Sequence, residues 1–180
     1  PTPVDAWFSD GHERVRVAAV DGDRLILADG PRRLVGPGES VNIVDPSLRV
    51  EGTLTARDRQ YLEAMAAAGE SRVMLSYVEH PSDVEEVQRL LPGAEVVLKI
   101  ENESGLAFAG EHGATLGRLC AARGDLYVEV TRPHRVVGAL KAVLAADPGA
   151  MVASRLFGGL ATDPVPSAAD IGDAAFLMGL

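Results

Sequence analysis

From Thr53 onward the chain alternates short unbroken apolar runs with longer amphipathic stretches, and this alternation restricts the possible folds more than any other feature. The apolar runs fall near residues 72–78, 95–101, 117–123 and 149–154. Their length and continuity suit strands buried on both faces. Between and around them, apolar residues spaced by three and four mark helices near 55–68, 82–91, 133–146 and 167–178, with a weaker one near 104–113. Thr55 stands three residues before Asp58 and Ser82 three before Glu85, so each hydroxyl is expected to cap a helix start, while Pro133 suits a first helical turn. Strands separated by helices of this length imply right-handed crossovers and a parallel sheet. The expected class is α/β.

Two architectures fit this pattern, an open doubly wound sheet and a section of a (β/α)8 TIM-type barrel. A whole barrel needs roughly 200 to 250 residues, whereas this chain has 180 and shows four strands after residue 70. It also stops at Leu180 inside a helical pattern, so it is expected to be part of a longer protein. Upstream the texture differs. RVRVAAV at 14–20 and RLILAD at 24–29 flank an Asp21-Gly22-Asp23 turn, a hairpin signal, and Gly36-Pro37-Gly38 leads into VNIV at 41–44. Residues 1–45 are therefore expected to form part of a small all-β domain, and 46–180 a barrel section.

A net charge of −9 without a stripe of Lys and Arg argues against nucleic acid as a partner. No run of eighteen apolar residues and no basic, apolar leader is present, so neither a membrane span nor secretion is expected, and the cytoplasm is the default location. Cys120 is the lone cysteine and sits in an apolar run, the setting of an inert buried thiol. His12, His80, His112 and His134 show no metal-ligand spacing and are expected at the surface or in loops.

Polar residues concentrate at the C-terminal end of each strand core. VML precedes Ser76-Tyr77, VVL precedes Lys99-Ile100-Glu101-Asn102, LCAA precedes Arg123-Gly124-Asp125, and MVA precedes Ser154-Arg155. Ligands of parallel α/β folds bind at that edge of the sheet, where the loops converge. Strand alternation turns Lys99 and Glu101 the same way and Ile100 toward the helices. Glu101 and Asp125, on neighbouring strand ends, suit one hard cation such as magnesium or manganese, which takes one or two carboxylates plus waters and ligand oxygens. Lys99 adds a fixed positive charge for an enolate or a transferring phosphoryl group. An internal salt bridge among the three is the competing reading.

KIENESG at 99–105 and ARGDL at 122–126 resemble the two best-marked strand ends of the pyruvate kinase family. HPSDVEEV at 80–87, PVPSAAD at 164–170, VNIV at 41–44 and LTARDRQYL at 54–62 extend the likeness over nearly the whole chain. The resemblance implies a barrel, a divalent ion held by Glu101 and Asp125, and Lys99 stabilising the enolate and the phosphoryl group. It further implies that Arg123, Gly124 and Asp125 offer backbone N–H groups to a substrate carboxylate, that Ser154 stands for the family's threonine, and that Ser76 also lines the substrate.

Two departures from the family are Tyr127, which stands where the family has the glycine after Gly-Asp-Leu, and the lack of a counterpart to the arginine and asparagine of its first strands; the others concern the nucleotide. The family's small-domain lysine aligns near Glu39, its Ser-Phe motif reads Ser76-Tyr77, and its subsequent basic pair reads Glu79-His80. The resemblance therefore implies a metal-dependent, pyruvate kinase-like enzyme, expected as a homo-oligomer, acting on phosphoenolpyruvate, pyruvate or a related small oxoacid. The preferred expectation is that it uses the enolate chemistry for a reaction other than ADP phosphorylation. Pyruvate kinase proper and a non-catalytic binding partner are the alternatives.

Overall fold

The computed structural model describes residues 4–8, 11–45, 48, 50, 52–130, 132–154 and 156–179. Arg155, expected at a strand end, and Leu180, the last residue of the sequence, lie outside them, as do Pro46 and Ser47 at the expected domain boundary. An antiparallel sheet comes first in the chain: β1 (Val4–Phe8), β2 (Glu13–Asp21), β3 (Arg24–Leu27) and β4 (Val41–Ile43), in the order β3-β2-β1-β4. Trp7 on β1 opposes Arg14 on one side and Asn42 on the other, so these three share a face. The opposite face carries Ala6, Phe8, Val15 and Val17, which pack with Leu27 and Ile43 into a small core.

The second sheet is parallel and runs in chain order: β5 (Arg72–Leu75), β6 (Glu95–Ile100), β7 (Arg118–Ala122) and β8 (Met151–Ala153). A doubly wound sheet reverses its strand order at a switch point. Here every crossover steps the same way, which is the winding of a barrel section, and the sheet is not closed. Its helices are α1 (Ala56–Ala68), α2 (Pro81–Leu90), α3 (Glu103–His112), α4 (Arg123–Glu129), α5 (Val136–Ala146) and α6 (Ala168–Met178). Leu98, Ile100, Leu119 and Ala121 project from β6 and β7 into a core shared with Val84, Val87, Phe108 and Val143 of the helices.

The starts of α1, α2, α3 and α6 are set by local side-chain hydrogen bonding. Thr55 and Asp58 form the expected reciprocal cap, with Asp58 N–H donating to the Thr55 hydroxyl at 3.2 Å and Thr55 N–H to the Asp58 carboxylate at 2.8 Å. Ser82 does not cap its helix. α2 begins one residue earlier, at Pro81, because the Asp83 carboxylate accepts from the N–H groups of Glu79 and His80 at 3.0 and 2.9 Å. Pro133 opens a single 3-10 turn, Pro133–Arg135, ahead of α5. Among the strands and α-helices, two lie beyond the sequence expectation, β1 and the seven-residue α4.

Gly117 lies just before β7, where a Cβ would strike the Val96 carbonyl oxygen of β6 and come within 3.1 Å of Leu98 Cγ. Because the obstacle is backbone, it cannot swing aside. Gly117→Ala is expected to lower stability by about 1 to 3 kcal/mol, measurable as a reduced midpoint in urea with an unchanged slope.

Candidate active site at the ends of the parallel strands

Alternation along β6 sets Lys99 and Glu101 on one side and buries Ile100 among the helices. Lys99 Nζ donates to Glu101 Oε1 at 2.5 Å and lies 3.4 Å from the Ser76 hydroxyl at the end of β5. Glu101 is only 2% exposed, and its second oxygen accepts the Tyr77 N–H at 2.5 Å. That bond is possible because Tyr77 leaves β5 in the left-handed region, at φ 51°. Beyond the bend, Val78 N–H returns to the Lys99 carbonyl at 3.3 Å.

Asp125 sits in the first turn of α4, directly after β7. The Tyr77 hydroxyl donates to Asp125 Oδ1 across a long 3.4 Å and accepts from Asn42 Nδ2 at 3.0 Å. The same Asn42 amide donates to Glu129 Oε1 at 2.9 Å. One residue therefore touches both expected metal-binding carboxylates, and Asn42 of the antiparallel sheet holds that residue in turn.

Ser76, Lys99, Glu101 and Asp125 are thus gathered around Tyr77. Gly124 and Ser154 form a second pair, with the Gly124 N–H donating to the Ser154 hydroxyl at 3.0 Å and that hydroxyl donating to the Ala153 carbonyl at 2.8 Å. The Gly124 N–H expected to meet a substrate carboxylate is here directed at Ser154. The Arg123 guanidinium is turned away, donating to Asp173 of α6 at 2.7 Å. Ser154, like Tyr77, is a non-glycine residue in the left-handed region, at φ 60°. Such conformations cost about 1 to 3 kcal/mol and concentrate at functional sites.

The electrostatics are dominated by carboxylates. Burial pushes the Glu101 carboxyl up from its ordinary value. The hydrogen bonds from Lys99 and the Tyr77 N–H, with the Lys99 charge, oppose this, while the Asp125 charge adds to it. Burial likewise raises Glu129, against the hydrogen bond from Asn42 and with the charges of Asp125 and Glu79. Burial, and then the charges of Asp125, Glu101 and Glu129, raises the Tyr77 phenol, which stays protonated and serves as a donor. One lysine faces several acids.

This donor set fits a hard divalent ion. An ionised carboxylate has about four acceptor positions; Glu101 uses two, on Lys99 and Tyr77, and Asp125 has one long contact with the Tyr77 hydroxyl. Among the described residues no group of three or more His, Cys, Asp or Glu side chains is arranged to hold a metal. An ion here would take two carboxylates and complete its sphere with water and ligand oxygens, the habit of magnesium.

Asn42, the Tyr77 hydroxyl and Glu129 are parts of this site that sequence reasoning overlooks. The Asn42 bonds span 35 and 87 residues of sequence, so only the approach of β4 to β5 and α4 creates them. A lone asparagine in the otherwise apolar VNIV run is the one local signal, and in the fold that side chain is buried.

The family model for "Pyruvate kinase, barrel domain" matches residues 6–178. The chain belongs to the pyruvate kinase family. A pyruvate kinase of Methylorubrum extorquens is 30% identical over 97% of this chain and 41% of its own length. One from Agrobacterium vitis is 30% identical over 96% and 36%, and one from Borreliella burgdorferi 26% over 97% and 38%. The chain thus spans about two fifths of the length of these curated relatives. In pyruvate kinase terms, KIENESG runs from the end of β6 into α3 and ARGDL from the end of β7 into α4. Cys120 is fully buried, and burial raises its thiol. Of the four histidines, His112 departs from the surface expectation, packing half-buried at the end of α3 with its ring 4.9 Å from that of Phe108. No helix among the described residues is long and apolar enough to cross a membrane.

Proposed function

We propose that this chain supplies the phosphoenolpyruvate and pyruvate half of a pyruvate kinase site, and that the intact protein transfers a phosphoryl group between phosphoenolpyruvate and ADP. The observation that carries the reading is the meeting of Lys99, Glu101 and Asp125 around Tyr77 at the strand ends. Glu101 and Asp125 would hold the divalent ion, which supplies charge stabilisation for the oxygens of the oxoacid when bound. Lys99, anchored on Glu101, places a positive charge beside the reacting oxygens, where it is worth more in a partly dry site than in water. The start of α4 and the Ser154 hydroxyl would orient the substrate carboxylate, with Gly124 N–H exchanging Ser154 for the ligand.

A second reading keeps the enolate chemistry for a different reaction, and Glu39 motivates it. The Glu39 carboxylate, however, accepts from the Arg33 guanidinium at 2.5 Å, so its negative charge is locally offset. The Methylorubrum, Agrobacterium and Borreliella relatives are also pyruvate kinases by name. Phosphoryl transfer is the better supported of the two. The test is pyruvate release from phosphoenolpyruvate by the intact protein with magnesium, with and without ADP. Release that requires ADP is the expected result; turnover indifferent to ADP would favour the second reading.

A further inference from the structure

The residue that joins the carboxylates is one the family resemblance does not account for, since Tyr77 stands where the family has phenylalanine. Three observations converge on its hydroxyl and backbone. First, the left-handed bend at Tyr77 aims its N–H at Glu101 Oε2 and its ring toward α4. A β conformation would instead have continued β5, so the bend is maintained against a conformational cost. Second, Asn42 Nδ2 donates to the phenol oxygen at 3.0 Å, which leaves the phenol proton free to point elsewhere, and its acceptor is Asp125 Oδ1. Third, Asn42 is almost fully buried, and its Oδ1 has no hydrogen-bond partner among the described residues. An unpaired buried acceptor is costly. Here the amide is oriented for its two donor bonds, to Tyr77 and Glu129, at the expense of its oxygen.

We propose that Tyr77 is a positioning residue for the divalent-ion site: its N–H fixes Glu101, its hydroxyl steadies Asp125, and Asn42 couples both to the antiparallel sheet. This rests on the reading that Glu101 and Asp125 hold a divalent ion. Groups that orient metal ligands from one bond further out are typically worth about 10- to 100-fold in metal affinity. The hydroxyl bond to Asp125 is long at 3.4 Å. The lower end of that range applies.

The experiment is Mn2+ titration by calorimetry on the intact protein, wild type against Tyr77→Phe, with melting of both in the absence of metal. Phenylalanine keeps the ring, its packing and the N–H, and removes only the hydroxyl. The expected result is a Kd for Mn2+ raised about tenfold, with the metal-free melting temperature little changed. In turnover, the Mg2+ concentration for half-activation should rise by a similar factor while kcat at saturating Mg2+ is retained. Asn42→Ala should weaken Mn2+ binding as well, and the double variant should be no weaker than the worse single one, because both changes break the same link. Equal Mn2+ affinity in wild type and Tyr77→Phe would overturn the proposal and leave the carboxylate site standing. A loss of affinity matched by a large drop in metal-free melting would also overturn it, by showing that the hydroxyl serves the fold. Wild type that does not bind Mn2+ would remove the proposal together with the metal-site reading beneath it.

Discussion

Lys99→Met is expected to reduce turnover by on the order of 10³-fold, as removal of a preorganised electrostatic contact to a developing negative charge does, while harming the fold far less. The smaller structural effect traces to Glu101. Losing Lys99 leaves a carboxylate that is 2% exposed without its main countercharge. Burial already raises the Glu101 carboxyl, so the deprived group takes up a proton and avoids remaining a buried anion. The stability loss is then that of a broken hydrogen bond to a charged group, about 1 to 3 kcal/mol. Steady-state kinetics with urea denaturation of the same samples separates the two effects. A variant that melts far below wild type, but retains turnover when folded, would mean that the lysine is only half of an internal ion pair.

The parallel half of the fold is legible in the sequence because its signals are local. Unbroken apolar runs locate β5 to β8, and spacing of three and four locates α1, α2, α3, α5 and α6. Apolar runs overestimate the strand ends where the backbone departs from the strand for the sake of the site. β5 ends at Leu75 because Tyr77 turns left-handed toward Glu101, and β7 ends at Ala122 because Arg123 already opens α4. α4, at seven residues, is too short to show a helical period. β1 is hidden because its alternation mixes Asp5 and Trp7 with Ala6 and Phe8, and only pairing with β2 and β4 on both sides makes it a central strand.

The candidate site divides along the same line. Lys99 and Glu101 are two residues apart on one strand, so alternation alone predicts that they meet, and they do at 2.5 Å. Asp125 needs the parallel pairing of β6 with β7, which the element order implies. The sequence expectation for Arg123 concerns its backbone, and nothing local reveals that its side chain pairs with Asp173, fifty residues on. Asn42 and Glu129 depend on one sheet approaching the other. That approach is a tertiary event with no periodic signature.

The second large expectation concerns cooperation between cation and oxoacid. Glu101 and Asp125 are close enough for the Asp125 charge to raise the Glu101 carboxyl, and Lys99 can offset only one of the two charges. A divalent ion between them would relieve that repulsion and present a positive centre to an oxoacid, so each ligand should bind the folded state better when the other is present. Coupling of this kind is typically about 1 to 3 kcal/mol, or several degrees of melting temperature at about 2 to 4 °C per kcal/mol in a domain of 150 to 250 residues. Glu101→Gln retains the shape and one acceptor but removes the charge. Glu85 on the exposed face of α2 provides the control.

The decisive measurement is therefore a thermal melt of the intact protein with magnesium, with oxalate and with both, for wild type, Glu101→Gln and Glu85→Gln. For wild type and Glu85→Gln, magnesium and oxalate together should raise the melting temperature by more than the sum of their separate shifts, and Glu101→Gln should lose most of that excess. An excess that survives unchanged in Glu101→Gln would contradict a divalent-ion site built on Glu101 and Asp125.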